Sequence, residues 1–215
     1  MEWVPEGEIK GVLQICHGMV EYIKRYRELG EYLAERGYYV TGHDHLGHGQ
    51  SVQNESDYGY FNETKGNQYV IGDIHKLREI TMKKYPDVPY YMLGHSMGSF
   101  AARVYAAQYG HTLAGLILSG TGGKNPAAPL GEKLARALSR RAGERERPPV
   151  LTRLIFQDYT RAFEPRRTDS YWPTRDNDLV DRLFYAPFCT FHITTSPSAA
   201  LPQTPIHATC RNTLP

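Results

Sequence analysis

Apolar positions recur along the first 120 residues in two alternating rhythms. Residues 10–16 (KGVLQIC) form a short apolar run that ends at His17-Gly18, the pattern of a buried strand entering a loop. Ile23, Tyr26, Leu29 and Leu33 then repeat every three to four positions. Glu21, Lys24, Arg25, Glu28 and Glu31 lie between them, which predicts an amphipathic helix closed by Gly37. Residues 38–41 (YYVT) are rich in β formers and predict a second strand that breaks at Gly42-His43-Asp44. A polar loop runs to about Asn67, after which Val70, Ile74, Leu77 and Thr81 mark a second helix stopped before Pro86. Residues 89–94 (PYYMLG) read as a third strand, residues 97–105 as a helix of good formers, and residues 113–120 (LAGLILSG) as a fourth strand. Strands and helices alternating over short connections predict a mostly parallel sheet with helices on both faces, an α/β fold.

The rhythm changes near Thr121. Residues 122–126 (GGKNP) read as a linker, and Leu130, Leu134 and Leu138 predict an amphipathic helix. Residues 139–149 (SRRAGERERPP) are charged and rich in breakers, which suits a solvated loop better than a site for an acidic partner. Residues 150–161 are compatible with another helix. From Ser196 onward Pro197, Pro202, Pro205 and Pro215 stand in polar company without periodicity, and the sequence holds no internal repeat.

Composition narrows the class further. Across 215 residues, 25 Lys and Arg nearly cancel 23 Asp and Glu, which argues against a nucleic-acid partner. An aromatic content of 12% argues against a disordered chain. No apolar run approaches the roughly 20 residues that cross a bilayer. The acidic start lacks the basic and apolar regions of a signal peptide. Cys16, Cys189 and Cys210 are odd in number and without paired spacing, as expected in a reducing, cytoplasmic setting.

The chemistry concentrates at Gly94-His95-Ser96-Met97-Gly98, which matches G-x-S-x-G. The bare pattern arises by chance in roughly one chain in ten of this length. Here an apolar strand enters it and a helix leaves it, the context of a nucleophile elbow that lifts a serine hydroxyl clear of the sheet. The competing reading is a glycine-rich turn with an idle serine. A serine nucleophile needs a base and donors for the developing oxyanion. The Met97 amide directly follows the serine, and the loop at His17-Gly18-Met19 offers the Met19 amide as a second donor. His17 is equally compatible with an ordinary loop histidine. His43, Asp44, His45 and His48 invite a metal reading. A glycine-broken loop suits ligand convergence poorly, and the favoured reading is a structured turn in which Asp44 caps loop amides while the glycines take unusual φ values. Tyr58, Tyr60 and Phe61 read as packing.

Four segments then combine: residues 17–26 (HGMVEYIKRY), 44–51 (DHLGHGQS), 94–99 (GHSMGS) and 118–121 (LSGT). In this order they resemble the monoacylglycerol lipase/lysophospholipase branch of the α/β-hydrolases, the serine aminopeptidase S33-like hydrolases, over about residues 8–195. The resemblance implies a serine carboxylic-ester hydrolase with Ser96 as nucleophile and the Met19 and Met97 amides as oxyanion hole. His17, Gly18, Asp44, Gly94, His95 and Gly98 become residues of its structural motifs. It implies no cofactor, no metal, and a small acyl ester or lipid monoester as substrate, with transient membrane-surface contact through a cap. The expected organisation is a hydrolase core over 1–121, a cap over 122–195 and an irregular tail over 196–215. Residues 163–165 (FEP) and 172–176 (WPTRD) resemble cap segments.

The departures are specific. Two antiparallel strands expected before Lys10, and the two strand–helix units expected to deliver the catalytic acid and base, find no counterpart in the motifs. The residues after Thr195 are expected to leave the family pattern, as a frameshifted tail would. The required order Ser…Asp/Glu…His leaves Asp158 with His192 or His207 as an alternative acid and base, although the alternation of Cys189, Phe191 and Ile193 turns His192 to the opposite strand face. Two further readings stay open: a catalytically incomplete member of the family, and a proline-type serine aminopeptidase.

Overall fold

The computed structural model describes residues 1–62, 65–123, 128–143, 145–148, 176–185, 188–189 and 194. Its centre is a five-stranded sheet in the order β1-β3-β2-β4-β5, built from β1 (Glu2–Trp3), β2 (Gly11–Cys16), β3 (Tyr38–Gly42), β4 (Tyr90–His95) and β5 (Gly115–Ser119). All pairings are parallel except β1 with β3. Helices α1 (Arg27–Ala34), α2 (Gly66–Lys84) and α3 (Met97–Tyr109) connect and flank the strands, and α4 (Ala128–Ala142) and α5 (Asn177–Tyr185) follow. This is the mostly parallel α/β arrangement read from the sequence.

β2 is buried along its whole length because both faces of the sheet are covered there. Leu13 and Ile15 pack with Trp3, Ile23 and Val40 under the α1 layer. Cys16 packs with Met92, Ile74, Met97 and Ala102 under α2 and α3 on the other face. Each fully buried side chain of this size contributes about 1.5–3 kcal/mol, so β2, in the middle of the strand order and buried throughout, is the stable centre of the sheet. The one polar residue of β2 is satisfied: Gln14 Nε2 donates to the Ile74 carbonyl at 3.1 Å and its Oε1 accepts from the Tyr90 hydroxyl at 2.7 Å.

Four features differ from the sequence expectation. An antiparallel strand does precede β2: Glu2 and Trp3 pair with Thr41 and Val40. The face of α1 is rotated, so Leu29 is exposed and Gly30 is buried, because the Trp3 indole occupies the space where a Cβ on residue 30 would stand. The helix itself begins after a 3-10 turn over Ile23–Tyr26 and is followed by Gly37 at φ +89°, as expected of a terminating glycine. At the far edge, Leu116, Ile117 and Leu118 of β5 are exposed, since among the described residues no strand pairs with its outer side. On α4, Leu130 and Leu134 of the predicted apolar stripe are exposed as well.

The Trp3–Gly30 contact is testable. Gly30→Ala gains about 1 kcal/mol of helix propensity, yet it must displace an indole, at a typical cost of 1–3 kcal/mol. Urea unfolding is expected to show Gly30→Ala destabilised in the wild-type background and stabilised in a Trp3→Ala background. Equal effects in both backgrounds would remove the contact as the cause.

Candidate active site

Cys16 lies opposite Gly94 in the register of β2 and β4. From there the chain leaves β2 towards β3 on one side and leaves β4 towards β5 on the other. The two loops at these strand ends therefore border a crevice at the topological switch point, where open α/β sheets bind ligands.

Ser96 occupies the tip of the β4–α3 turn at φ 49° and ψ −118°, outside the regions that L-residues ordinarily use. Such a conformation costs about 1–3 kcal/mol and persists only when its surroundings hold it. Its N–H donates to the Ser119 carbonyl at 2.9 Å. Its carbonyl accepts from the Ser99 N–H at 2.9 Å and the Ser99 hydroxyl at 2.6 Å. The flanking glycines are required by space. A Cβ on Gly94 would stand 2.5 Å from the Gly98 carbonyl oxygen, and one on Gly98 would overlap the carbonyls of Cys16 and His17. Met97 begins α3, so its amide belongs to the unpaired, partially positive end of the helix. His95 is half-buried, with Nδ1 3.4 Å from the Ser119 hydroxyl.

The loop after β2 lies against this turn. A Cβ on Gly18 would come within 3.2 Å of Ser96 Cβ. Met19 packs on the same core cluster that contains Met97. Val20, a β-branched residue, takes φ +58°. Glu21, which the sequence offered only as a polar position of the following helix, is instead buried and organises the loop. It accepts from the Gly18 N–H, from Arg25 Nη1 at 2.6 Å and from the Tyr26 hydroxyl at 2.9 Å. The Arg25 and Tyr26 partners, four and five residues on, were the available signal. Burial, then the Glu21 charge, pushes the Tyr26 phenol well above its ordinary range, so it stays a neutral donor.

The loop after β3 supports the first. Asp44 caps it as expected, accepting from the Ile23 N–H at 2.7 Å and the Gln50 N–H at 2.8 Å. Gly47 and Gly49 take φ +74° and +48°. His17, His45 and His48 are fully buried, with ring centroids 4.3 Å apart for His17–His45 and 5.3 Å for His17–His48. Among the described residues no group of three or more His, Cys, Asp or Glu has the arrangement of a metal site. Burial is the main cause that pushes all four imidazoles down: His17 and His45 well below the ordinary value, His43 and His48 to about 4. The Asp44 carboxylate opposes this at His43 and His48, the Leu46 carbonyl opposes it at His48, and the terminal ammonium adds to it at His43. Burial also pushes the Cys16 thiol up to about 12, so it is inert packing.

The structure thus sets the Gly94–Gly98 turn against His17 and Gly18, with Met19 on the core cluster of Met97 and Asp44 tying the loop after β3 to Ile23. Asp158, His192 and His207 lie outside the described residues, and among those described Ser96 Oγ has no imidazole partner.

Fold and crevice together define an α/β-hydrolase. Residues 7–209 match the family described as serine aminopeptidase, S33, and the chain belongs to that family. The match runs past Thr195, where the motif resemblance was expected to stop. Over 116 residues the chain is 34% identical to the monoglyceride lipase of Mus musculus, covering 54% of this chain and 36% of that protein. It is 30% identical over 118 residues to the monoacylglycerol lipase of Mycolicibacterium smegmatis, covering 55% and 40%. A thermostable carboxyl esterase from Bacillus coagulans, solved with glycerol, superposes with a TM-score of 0.83 at 31% identity, over 93% of this chain and 66% of that one. The chain therefore spans well under half the length of the mouse lipase.

The histidine cluster predicts acid lability. An imidazole whose pKa is lower in the folded than in the unfolded chain takes up its proton preferentially on unfolding. The fold is then fully stable above about pH 6.5, and stability is lost as pH falls toward 4. His43 and His48 alone account for about 3 kcal/mol each on full protonation. Urea midpoints measured from pH 7.5 to 4 are expected to fall steeply below pH 6.5. A flat profile across that window would show these rings to be solvated.

Proposed function

We propose that this chain carries the nucleophile and oxyanion-binding part of a serine carboxylic-ester hydrolase acting on lipid monoesters such as monoacylglycerols or lysophospholipids. The observation that carries the reading is Ser96 at φ 49° on the β4–α3 turn, with the Gly18 loop packed against it. In this reading the turn is a nucleophile elbow. Ser96 Oγ forms a bond to the acyl carbon as the carbonyl π pair moves onto oxygen, where the Met97 and Met19 N–H groups receive it. Collapse of that intermediate expels the alcohol and leaves an acyl-enzyme, which water then cleaves. A histidine must take the Ser96 proton and return it to the leaving alcohol. Asp158 with His192 or His207 keeps the required chain order and supplies the candidates for orienting acid and base.

The relatives named monoglyceride lipase favour a lipid monoester over a prolyl peptide, the other chemistry suggested by the family's description. Residues 1–121 form the core in this reading, residues 122–195 a cap and residues 196–215 a tail. Gly122 remains seated on the core through its carbonyl, which accepts from Arg103 at 3.0 Å. Arg145 pairs with Asp57, and Arg147 Nη2 donates to the Glu55 carbonyl at 2.8 Å, so the segment after α4 rests on the 55–60 loop.

A fluorophosphonate probe is expected to label wild-type protein at Ser96 and to leave Ser96→Ala unlabelled, with monoacylglycerol cleaved faster than a prolyl anilide. Absence of labelling on folded protein rejects the nucleophile assignment, and preference for the anilide selects the aminopeptidase chemistry.

Contact of the cap with a lipid surface is part of the same proposal. Leu130 is 72% exposed on α4, and Arg140 and Arg141 lie in its last turn. Leu130→Asp with Leu134→Asp is expected to cut co-sedimentation with vesicles of mixed zwitterionic and anionic lipid several-fold. Unchanged co-sedimentation would move the contact elsewhere.

A further inference from the structure

His17 and His48 each hold a backbone amide that belongs to the other's loop. His17 Nε2 accepts the His45 N–H at 2.9 Å, while its Nδ1 lies 2.7 Å from the Gly18 carbonyl. His48 Nε2 accepts the Val20 N–H at 3.2 Å, while its Nδ1 lies 3.0 Å from the Leu46 carbonyl. A carbonyl can only accept, and an amide N–H can only donate. These partners therefore assign the proton in both rings to Nδ1 and leave Nε2 as the acceptor. A neutral imidazole has one donor and one acceptor, and these contacts use both. A third tie runs parallel to them, from the Ile23 N–H to Asp44 Oδ1.

The Val20 amide is the informative one. Val20 stands at φ +58°, where a β-branched residue is strained. The peptide that His48 grips joins it to Met19, whose own N–H is the proposed oxyanion donor. Releasing the Val20 N–H would let Val20 return to negative φ, swinging the Met19–Val20 peptide and with it the chain that carries the Met19 amide. Gly18, at the head of the same turn, is anchored separately by Glu21 and abuts Ser96. The imidazole of His48 is further fixed by the edge of Phe61, ring centroids 5.3 Å apart.

We propose that His17 and His48 are positioning residues: a reciprocal imidazole clasp between the loops after β2 and β3 that holds the strained Val20 turn and so aims the Met19 amide at the oxyanion. The kinetic consequence rests on the ester-hydrolase reading above, whereas the clasp itself does not. A ring that merely fills space would be replaceable by an apolar group, while a clasp needs an acceptor at Nε2.

Three measurements on the full chain decide it. Long-range ¹H–¹⁵N correlation of the wild-type side chains is expected to show His17 and His48 as neutral Nδ1–H tautomers at pH 7.5. An Nε2–H pattern at either ring overturns the clasp without reference to activity. With a short acyl ester, His48→Leu is expected to lower kcat about 10-fold or more with little change in KM, because an oxyanion donor acts only in the transition state. His48→Gln, whose Oε1 can reach the Val20 N–H and cannot titrate in this range, is expected to recover most of that loss. Equal kcat values for the Leu and Gln variants would overturn the positioning role. If His48→Leu does not fold, the tautomer pattern and the Gln variant's kcat decide the matter. If wild type cleaves no ester and takes no fluorophosphonate, the ester-hydrolase reading fails, and the clasp then stands or falls on the tautomer pattern alone.

Discussion

The close approach of Gly98 to the end of β2 is the constraint on which the rest of the site depends. With hydrogen in place of a side chain, the first turn of α3 presses onto the carbonyls of Cys16 and His17. That contact brings the β4–α3 turn beside the loop after β2, and the parallel register of Cys16 with Gly94 holds it there. Ser96 takes its strained φ because the chain must reverse within one residue between a strand and a helix that are both packed. The cost is borne by the burial of β2, which is covered along its whole length, and of the alternate side chains of β4 that face the core.

A second layer of support is polar and sits away from water. Asp44, His17 and His48 hold backbone amides of the facing loop, and Glu21 holds the Gly18 amide together with the Arg25 and Tyr26 side chains. Buried groups of this kind are stabilising only when each is satisfied. The loops therefore have one good arrangement at neutral pH and lose it when the imidazoles take up protons. The same burial that sharpens the loops ties their integrity to pH, and the chemistry proposed for the crevice inherits that dependence.

Much of the core is legible in the sequence. Val12, Ile15, Val40, Val70, Ile74 and Met92 stand at positions whose spacing assigns them to buried strand or helix faces, and each is buried. Glycines at 94 and 98 around Ser96, between an apolar run and a helical stretch, announced a strand–turn–helix, because a Cβ at either glycine would collide with backbone. Asp44 as a loop cap was equally readable, since a short carboxylate among glycines has few other uses. Glu21 was not legible, because its spacing fits the polar face of the helix that follows, and only the loop's reversal over Gly18 turns it inward. Leu29 and Gly30 exchanged roles for a similar reason: a residue far away in sequence, Trp3, packs where a Cβ on residue 30 would stand, so the glycine is the buried one.

Local pattern alone determined the alternation of strands and helices, the parallel class of the sheet and the identity of the strand–turn–helix that carries Ser96, because hydrophobic period and glycine sterics act over a few neighbouring residues. Tertiary structure alone decided strand order, the antiparallel β1, and the pairing of the loops after β2 and β3 through His17 and His48. These contacts join residues 28 positions apart in the chain, and the imidazoles' partners are backbone amides that every sequence carries alike. Nothing in the side-chain pattern distinguishes one amide from another until the sheet has brought the two loops together.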